Sequence, residues 1–174
     1  MRCFIGIDLP PALKTQIVTW RDNEWPGSEG FKPVPPLNLH MTLVFIPALV
    51  ESKRASIVKA LDVSDIEPFT LTLDWVNHWR KPAIAWLSSK VPPIALKTLQ
   101  SSVSTQCQQQ DIKSPDVARE YQPHVTLMRK FKEPTSYPQP QQDWRFIVDK
   151  IHLFESRSGS NGVHYPIIET WSLG

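Results

Sequence analysis

Apolar positions fall along the chain in short runs and periods that predict alternating strands and helices. Residues 3 to 8 (CFIGID) are nearly all apolar and stop at Asp8 before Pro10-Pro11, the pattern of a buried strand followed by a helix start. From Pro11 to Glu24, Leu13, Ile17 and Trp20 recur at helical spacing, and Pro26-Gly27 ends the run. A second helix is predicted over 52–61, with Ser52 as its N-cap and Ile57, Val58 and Leu61 on one face. A third follows Pro92-Pro93, where Leu96, Leu99, Val103 and Cys107 repeat every three or four residues.

Strands are predicted over 39–45, 69–75, 83–87, 124–128, 146–154 and 163–170. In the second of these, Phe69, Leu71 and Leu73 alternate with Thr70, Thr72 and Asp74, the period of a sheet with one wet face. Trp79-Arg80-Lys81-Pro82 reads as an exposed loop, with a place bordering the cleft as the alternative. Residues 133–142, with three prolines and no apolar period, read as another. Asn161-Gly162, set between two strands, reads as a hairpin turn rather than as half of a GxxG nucleic-acid loop. The order of elements divides into two comparable halves and predicts one α+β domain spanning residues 1–174.

Composition narrows the class. With 41% hydrophobic and 21% charged residues, the chain is globular rather than disordered, and its 17 prolines in 174 residues exclude a long helical bundle. A net charge of +2 is too small for an extended nucleic-acid footprint, so any such contact is expected to be local. Two cysteines, Cys3 and Cys107, offer neither a disulfide framework nor a CxxC metal site, and together with the absence of clustered carboxylates or HExxH they predict no metal and no cofactor. The opening stretch Met1-Arg2-Cys3-Phe4-Ile5-Gly6-Ile7-Asp8 reaches a charge too soon for a signal peptide, and no apolar run reaches the roughly 20 residues of a membrane span. A soluble, cytoplasmic monomer is expected.

The chemistry is concentrated in two segments that read alike. Leu39-His40-Met41-Thr42-Leu43 and Pro123-His124-Val125-Thr126-Leu127 both carry His-apolar-Thr-apolar on a predicted strand, an accident of probability roughly 0.001 for a chain of this composition. On a strand, residues i and i+2 share a face, so each histidine stands beside its threonine. The motifs lie 84 residues apart, and each half of the chain can therefore bring one to a common cleft. Imidazole takes and gives protons near neutrality, and threonine hydroxyls donate hydrogen bonds without changing charge. Two such pairs are what metal-free phosphodiester hydrolysis requires: a base, an acid and two donors for the nonbridging oxygens. The solitary histidines His78, His152 and His164 read as structural, as do most of the tryptophans. Arg119, Arg129, Lys130 and Lys132 gather basic charge around the second motif, which favours a phosphate role.

The paired motifs resemble those of the two-histidine (2H) phosphoesterases, and more closely their LigT-like RNA 2′,3′-cyclic phosphodiesterase branch. Phe4-Ile5-Gly6-Ile7-Asp8-Leu9-Pro10 is similar to the family's opening strand. Asn38 to Leu43 is similar to its first motif, Pro123 to Arg129 to its second, and Tyr165 and Trp171 to residues of its closing segment. The resemblance implies a bilobal, pseudo-symmetric α+β fold with two antiparallel sheets around a central cleft and flanking helices. It implies hydrolysis of a terminal 2′,3′-cyclic phosphate on RNA to a 2′-phosphomonoester, and in some members the joining of RNA ends through a 2′-5′ linkage. It implies His40 as proton donor to the departing 3′ oxygen, His124 as proton acceptor from water, Thr42 and Thr126 beside them, and Arg129 on the phosphate. For Arg129 to share a face with His124 across an odd offset, the strand must end or bulge between them. Phe45 holds the equivalent place after His40, where a ring can stack on an unpaired base. Two alternatives stay open at this level: a noncatalytic RNA-end or nucleotide-binding module of the same fold, and a phosphodiesterase for small cyclic or 2′-5′ linked nucleotides.

Overall fold

The structure, a computed structural model, describes residues 1–25, 30–115, 120–131, 138–160 and 162–174. Its first half runs β1 (Cys3–Asp8), α1 (Pro11–Glu24), the short β2 (Lys32–Pro33), a 3-10 turn (Pro36–Asn38), β3 (His40–Ile46) and α2 (Glu51–Ala60). There follow β4 (Phe69–Leu73), β5 (Trp75–Trp79), β6 (Ile84–Ser88), α3 (Ile94–Gln109) and β7 (Val125–Arg129). The chain closes with β8 (Trp144–Val148), β9 (Lys150–Glu155), β10 (Arg157–Gly159), β11 (Gly162–His164) and β12 (Ile167–Ser172). Among the described residues, no helix is long and apolar enough to cross a membrane.

The α+β class and the antiparallel sheets are as expected. One half-sheet runs β12-β9-β1-β3 and the other β7-β6-β5, with β2 on β7, and they meet at β3 and β7 to form a single eight-stranded sheet. The seam between them is one ladder pair, Met41 opposite Val125. Each half repeats the same order of strand, helix and motif strand: β1, α1, β3 and β6, α3, β7. β1 and β6 are buried on both faces, which is why they read as unbroken apolar runs. Beneath the sheet, Ile5, Ile7, Ile17, Met41, Leu99, Val103, Val125 and Leu153 form one buried cluster, each side chain contributing roughly 1.5 to 3 kcal/mol.

Several boundaries differ from the sequence reading. The predicted strand 69–75 breaks at Asp74, whose carboxylate accepts the Lys90 N–H, so that β4 pairs with β8 in a separate two-stranded sheet while β5 joins the large one. The predicted strand 146–154 likewise divides at Asp149 into β8 and β9, and 163–170 divides at Tyr165-Pro166. Helix α2 is preceded by Val50 and has no side-chain cap, so Ser52 lies inside it, where its carbonyl accepts from the Ser56 hydroxyl. β10 and β11 pair with Gly159 opposite Gly162, as the hairpin reading requires, although Asn161 itself lies outside the described residues.

Both motif strands carry a β-bulge at the same place. Ile5 faces Val44 but Gly6 faces Thr42, leaving Leu43 as the extra residue of β3; Ala85 faces Met128 but Trp86 faces Thr126, leaving Leu127 as the extra residue of β7. Burial follows: Leu43 and Val44 both point inward, as do Leu127 and Met128. The helix of the opposite half holds each bulge. Gln100 of α3 donates to the Leu43 carbonyl at 3.4 Å, and the buried Arg21 of α1 donates to the Leu127 carbonyl at 3.3 Å and to that of Val34 at 2.6 Å.

Gly6 stands where β1 passes the first bulge. A Cβ there would meet the Met41 carbonyl oxygen at 2.5 Å, a backbone atom with no room to yield. Gly6→Ala is expected to cost about 1 to 3 kcal/mol, the usual penalty for overpacking, and to displace the Met41-Thr42 peptide. A wild-type denaturation midpoint for this variant would show that the approach is looser than it looks.

Candidate active site

The seam orders the two motifs. Continuing the register from Met41 and Val125 sets His40 opposite Thr126 and Thr42 opposite His124. Met41 and Val125 are buried, while the four motif side chains are partly exposed on the other face. The result is a local two-fold arrangement in which each imidazole lies beside one hydroxyl along its strand and another across the seam.

Both imidazoles are held alike. The Nδ1 of His40 lies 2.7 Å from the Asn38 carbonyl, and the Nδ1 of His124 lies 2.9 Å from that of Gln122. A carbonyl can only accept, so each Nδ1 carries the proton and each Nε2 is left for proton transfer. The supports reach further: the Asn38 side chain donates to the Val163 carbonyl at 2.7 Å, and the buried Ser88 hydroxyl donates to the Pro123 carbonyl at 2.6 Å.

Bulges supply the parity that the sequence demanded. With Leu127 inserted, Arg129 returns to the face of Thr126 and is exposed there, and its charge is felt at His40. With Leu43 inserted, Phe45 takes the corresponding place after His40. Its ring is already covered, since the Arg2 guanidinium lies 4.9 Å above it. Lys130 is exposed next to Arg129, while Arg119 and Lys132 lie outside the described residues.

The two histidines have different surroundings. His40 stacks on Phe4 at 4.3 Å between ring centres and meets the edge of Tyr165 at 5.0 Å. Burial pushes its pKa down to about 4, against the pull of the Asn38 carbonyl, and the charges of His124, Arg129 and Lys14 push the same way. In the free protein, then, His40 is neutral at pH 7. The cationic charges that add to this effect of burial also attract a phosphate. Lys14 is itself buried and paired with Asp8 at 2.6 Å, and Asp8 lies opposite His40 on β1.

His124 instead meets the edge of Trp79 at 4.7 Å and opens onto a cavity of about 440 Å³ lined by Thr42, Trp79, Lys81, Gln100 and Tyr121 among others. Trp79 ends β5, and Arg80, Lys81 and Pro82 form an exposed turn that borders the cleft, with Lys81 and Pro82 lining the cavity. Sequence reasoning gave no site role to Phe4 or Lys14. Phe4 had a signal, its place on the opening strand; Lys14 is brought in by tertiary packing. His152, on β9, faces the Thr170 hydroxyl at 2.9 Å.

A family model described as the 2′-5′ RNA ligase superfamily matches residues 9–160. The RNA 2′,3′-cyclic phosphodiesterase of Escherichia coli (strain K12) is 30% identical over 172 residues, which are 99% of this chain and 96% of that protein. The protein of the same description from Bacillus subtilis (strain 168) is 29% identical over 167 residues, covering 88% of this chain and 89% of its own. The crystal structure of E. coli LigT complexed with 3′-AMP aligns with a TM-score of 0.89 at 30% identity, over 99% of this chain and 97% of that one.

Proposed function

This chain belongs to the 2′-5′ RNA ligase superfamily, and from that premise we propose that it is an RNA 2′,3′-cyclic phosphodiesterase that opens the terminal cyclic phosphate of RNA to a 2′-phosphomonoester. The observation that carries this reading is the meeting of the two motifs at the seam, with both imidazoles anchored through Nδ1 and both Nε2 atoms left for chemistry. We read the protein as a cytoplasmic monomer acting as one domain. Its two thiols are buried and unpaired, in keeping with a reducing compartment.

In this mechanism His124 takes a proton from water as the water oxygen bonds to phosphorus. His40 gives its proton to the 3′ oxygen as the bond from phosphorus to that oxygen breaks, in line with the attack. Thr42 and Thr126 donate to the nonbridging oxygens, whose charge grows in the transition state. The planar fork of Arg129 pairs with the same oxygens. Phe45 receives the terminal base once Arg2 swings off its ring. Since His40 is neutral in the free protein, the bound anion must restore the proton that the acid needs.

The reaction as written needs no metal. Turnover of a 2′,3′-cyclic mononucleotide is expected to survive excess EDTA, with product identified as the 2′-phosphate. Activity lost to chelator and restored by a divalent ion would overturn the mechanism, and failure to turn over either a cyclic mononucleotide or a cyclic-ended oligonucleotide would leave a binding module.

A further inference from the structure

The two imidazoles meet their aromatic neighbours in different ways. His40 lies flat on Phe4, ring centres 4.3 Å apart and planes 25° from parallel, and Phe4 is backed in turn by Phe154 at 4.7 Å and 15°. Tyr165 closes the side of this stack at a steep angle to both His40 and Phe4. His124 instead stands at 72° to Trp79 and at 64° to Trp86. The register explains how His40 reaches Phe4. Phe4, Gly6 and Asp8 share one face of β1, His40 pairs with Asp8, and Gly6 between them presents no side chain to part the rings.

A stacked ring acts on the charge of an imidazole without competing for its protons. Hydrogen bonds lie in the imidazole plane, where Nδ1 is given to the Asn38 carbonyl and Nε2 to the reaction, so the face is left for Phe4. That π face is the negative side of the ring and attracts a cation within about 6 Å, most strongly where water is excluded. Phe4 and Phe154 are both buried. The charged and titratable groups around His40 are Asp8 on β1, Lys14 on α1, His124 and Arg129 on β7, and Tyr165, with His152 on β9 set against Phe154 at 5.8 Å. His124, Arg129 and Lys14 oppose a further positive charge, and Asp8 is engaged by Lys14 at 2.6 Å. Within the protein, the imidazolium therefore draws its support from the Asn38 carbonyl and the face of Phe4.

We propose that Phe4 is a positioning residue for the acid: its face holds the plane of His40 and stabilises the imidazolium once substrate is bound, and Phe154 and Tyr165 fix that ring in place. The role rests on the phosphodiesterase reading above, in which His40 is the proton donor. An acid must carry its positive charge before the reaction, and His40 is the histidine laid flat on a π face. Bound phosphate sets the opposite charge at Nε2, in the plane of the imidazole. Phe4 adds its attraction from behind that plane, so the two contributions act together without contending for the same atom.

The test varies the charge on the ring face and keeps its shape. Phe4 is replaced by mono-, di- and trifluorinated phenylalanine, each fluorine drawing electron density from the face, and separately by leucine in Phe4→Leu. Two quantities are read: the midpoint of the His40 ring signals in an NMR titration with saturating adenosine 2′-monophosphate, and the pH profile of kcat for a 2′,3′-cyclic mononucleotide. The His40 midpoint and the falling limb of the profile should both move to lower pH with each fluorine. In Phe4→Leu they should move by about one pH unit, a loss of about tenfold in kcat on that limb. KM should stay within about twofold of wild type, because Phe4 meets the imidazole and not the phosphate. A His40 midpoint indifferent to fluorination would overturn the proposal and leave Phe4 as ordinary packing. So would shifts of equal size in His40 and His124, which would mark a general disturbance of the site. The fluorinated rings keep the shape of phenylalanine, so the series decides the matter even where Phe4→Leu does not fold. If the His40 midpoint follows the fluorines and the kcat limb does not, the ring contact stands and the assignment of His40 as the acid falls. If the wild type fails to hydrolyse the mononucleotide, the phosphodiesterase reading falls by itself, and the NMR series still decides on Phe4.

Discussion

His124→Ala should lower turnover by about 10² to 10⁴, the usual contribution of a general base, and leave a rate that only falls as pH rises. His40→Ala should lose a similar factor and leave a rate that only rises with pH until His124 is neutral. The wild type, needing one imidazole protonated and the other not, should give a bell whose limbs belong to the coupled pair rather than to either residue. The sense of the surviving limb in each variant therefore identifies the role. A substrate whose leaving group needs no protonation should restore much of the rate in His40→Ala and little in His124→Ala. Rescue of the His124 variant instead would exchange the two assignments.

Burial adds a second reading to the same experiment. With its pKa pushed down to about 4, His40 of the free protein is neutral above that pH. An anion among His40, His124 and Arg129 favours the imidazolium, so the His40 ring signal in an NMR titration should move from near 4 toward neutrality when a 2′-nucleotide is added. An imidazole that still titrates near 4 in the complex could not serve as the acid at neutral pH, and that task would pass to His124.

Thr42→Ala and Thr126→Ala are the other large effects. Each removes a donor from the oxygens on which charge collects, a loss worth about 10² to 10³ in rate in a comparable oxyanion site. Both threonines sit on the partly exposed face of strands whose buried neighbours, Met41, Leu43, Val125 and Leu127, remain in place. Denaturation midpoints should consequently change little. The expected signature is lost turnover with retained stability, and wild-type rates would make both residues ordinary strand threonines.

The motifs themselves were legible because strand parity and the His-x-Thr repeat are local. So were the three helices, whose apolar periods survive in the buried residues Leu13 and Ile17, Ile57, and Leu96, Leu99, Val103 and Cys107. What the sequence hid was where the chain turns from one sheet into another. The apolar alternation runs on through Asp74 and Asp149, and the exchange of sheets there is decided by what packs on either side. Helix α2 shows the same limit, because Ser52 is a good capping residue at a place where the helix has already begun. The bulges at Leu43 and Leu127 left no local mark, and without them Arg129 and Phe45 would face away from the histidines. Trp79 reads as part of a polar loop until β5 pairs with β6 and carries its ring to His124.

The exchange of supports between the halves bears on how the protein can change. Because α1 steadies Leu127 and α3 steadies Leu43, neither half owns the geometry of its own motif. A fragment ending before β6 would retain His40 and Thr42 but lose Gln100, and its complement would retain His124 and Thr126 but lose Arg21. The two apparent repeats are thus interdependent in assembly, like clasped hands rather than stacked bricks. Loosening either helix is felt first at the distant motif, so that drift in one half constrains what the other can accept.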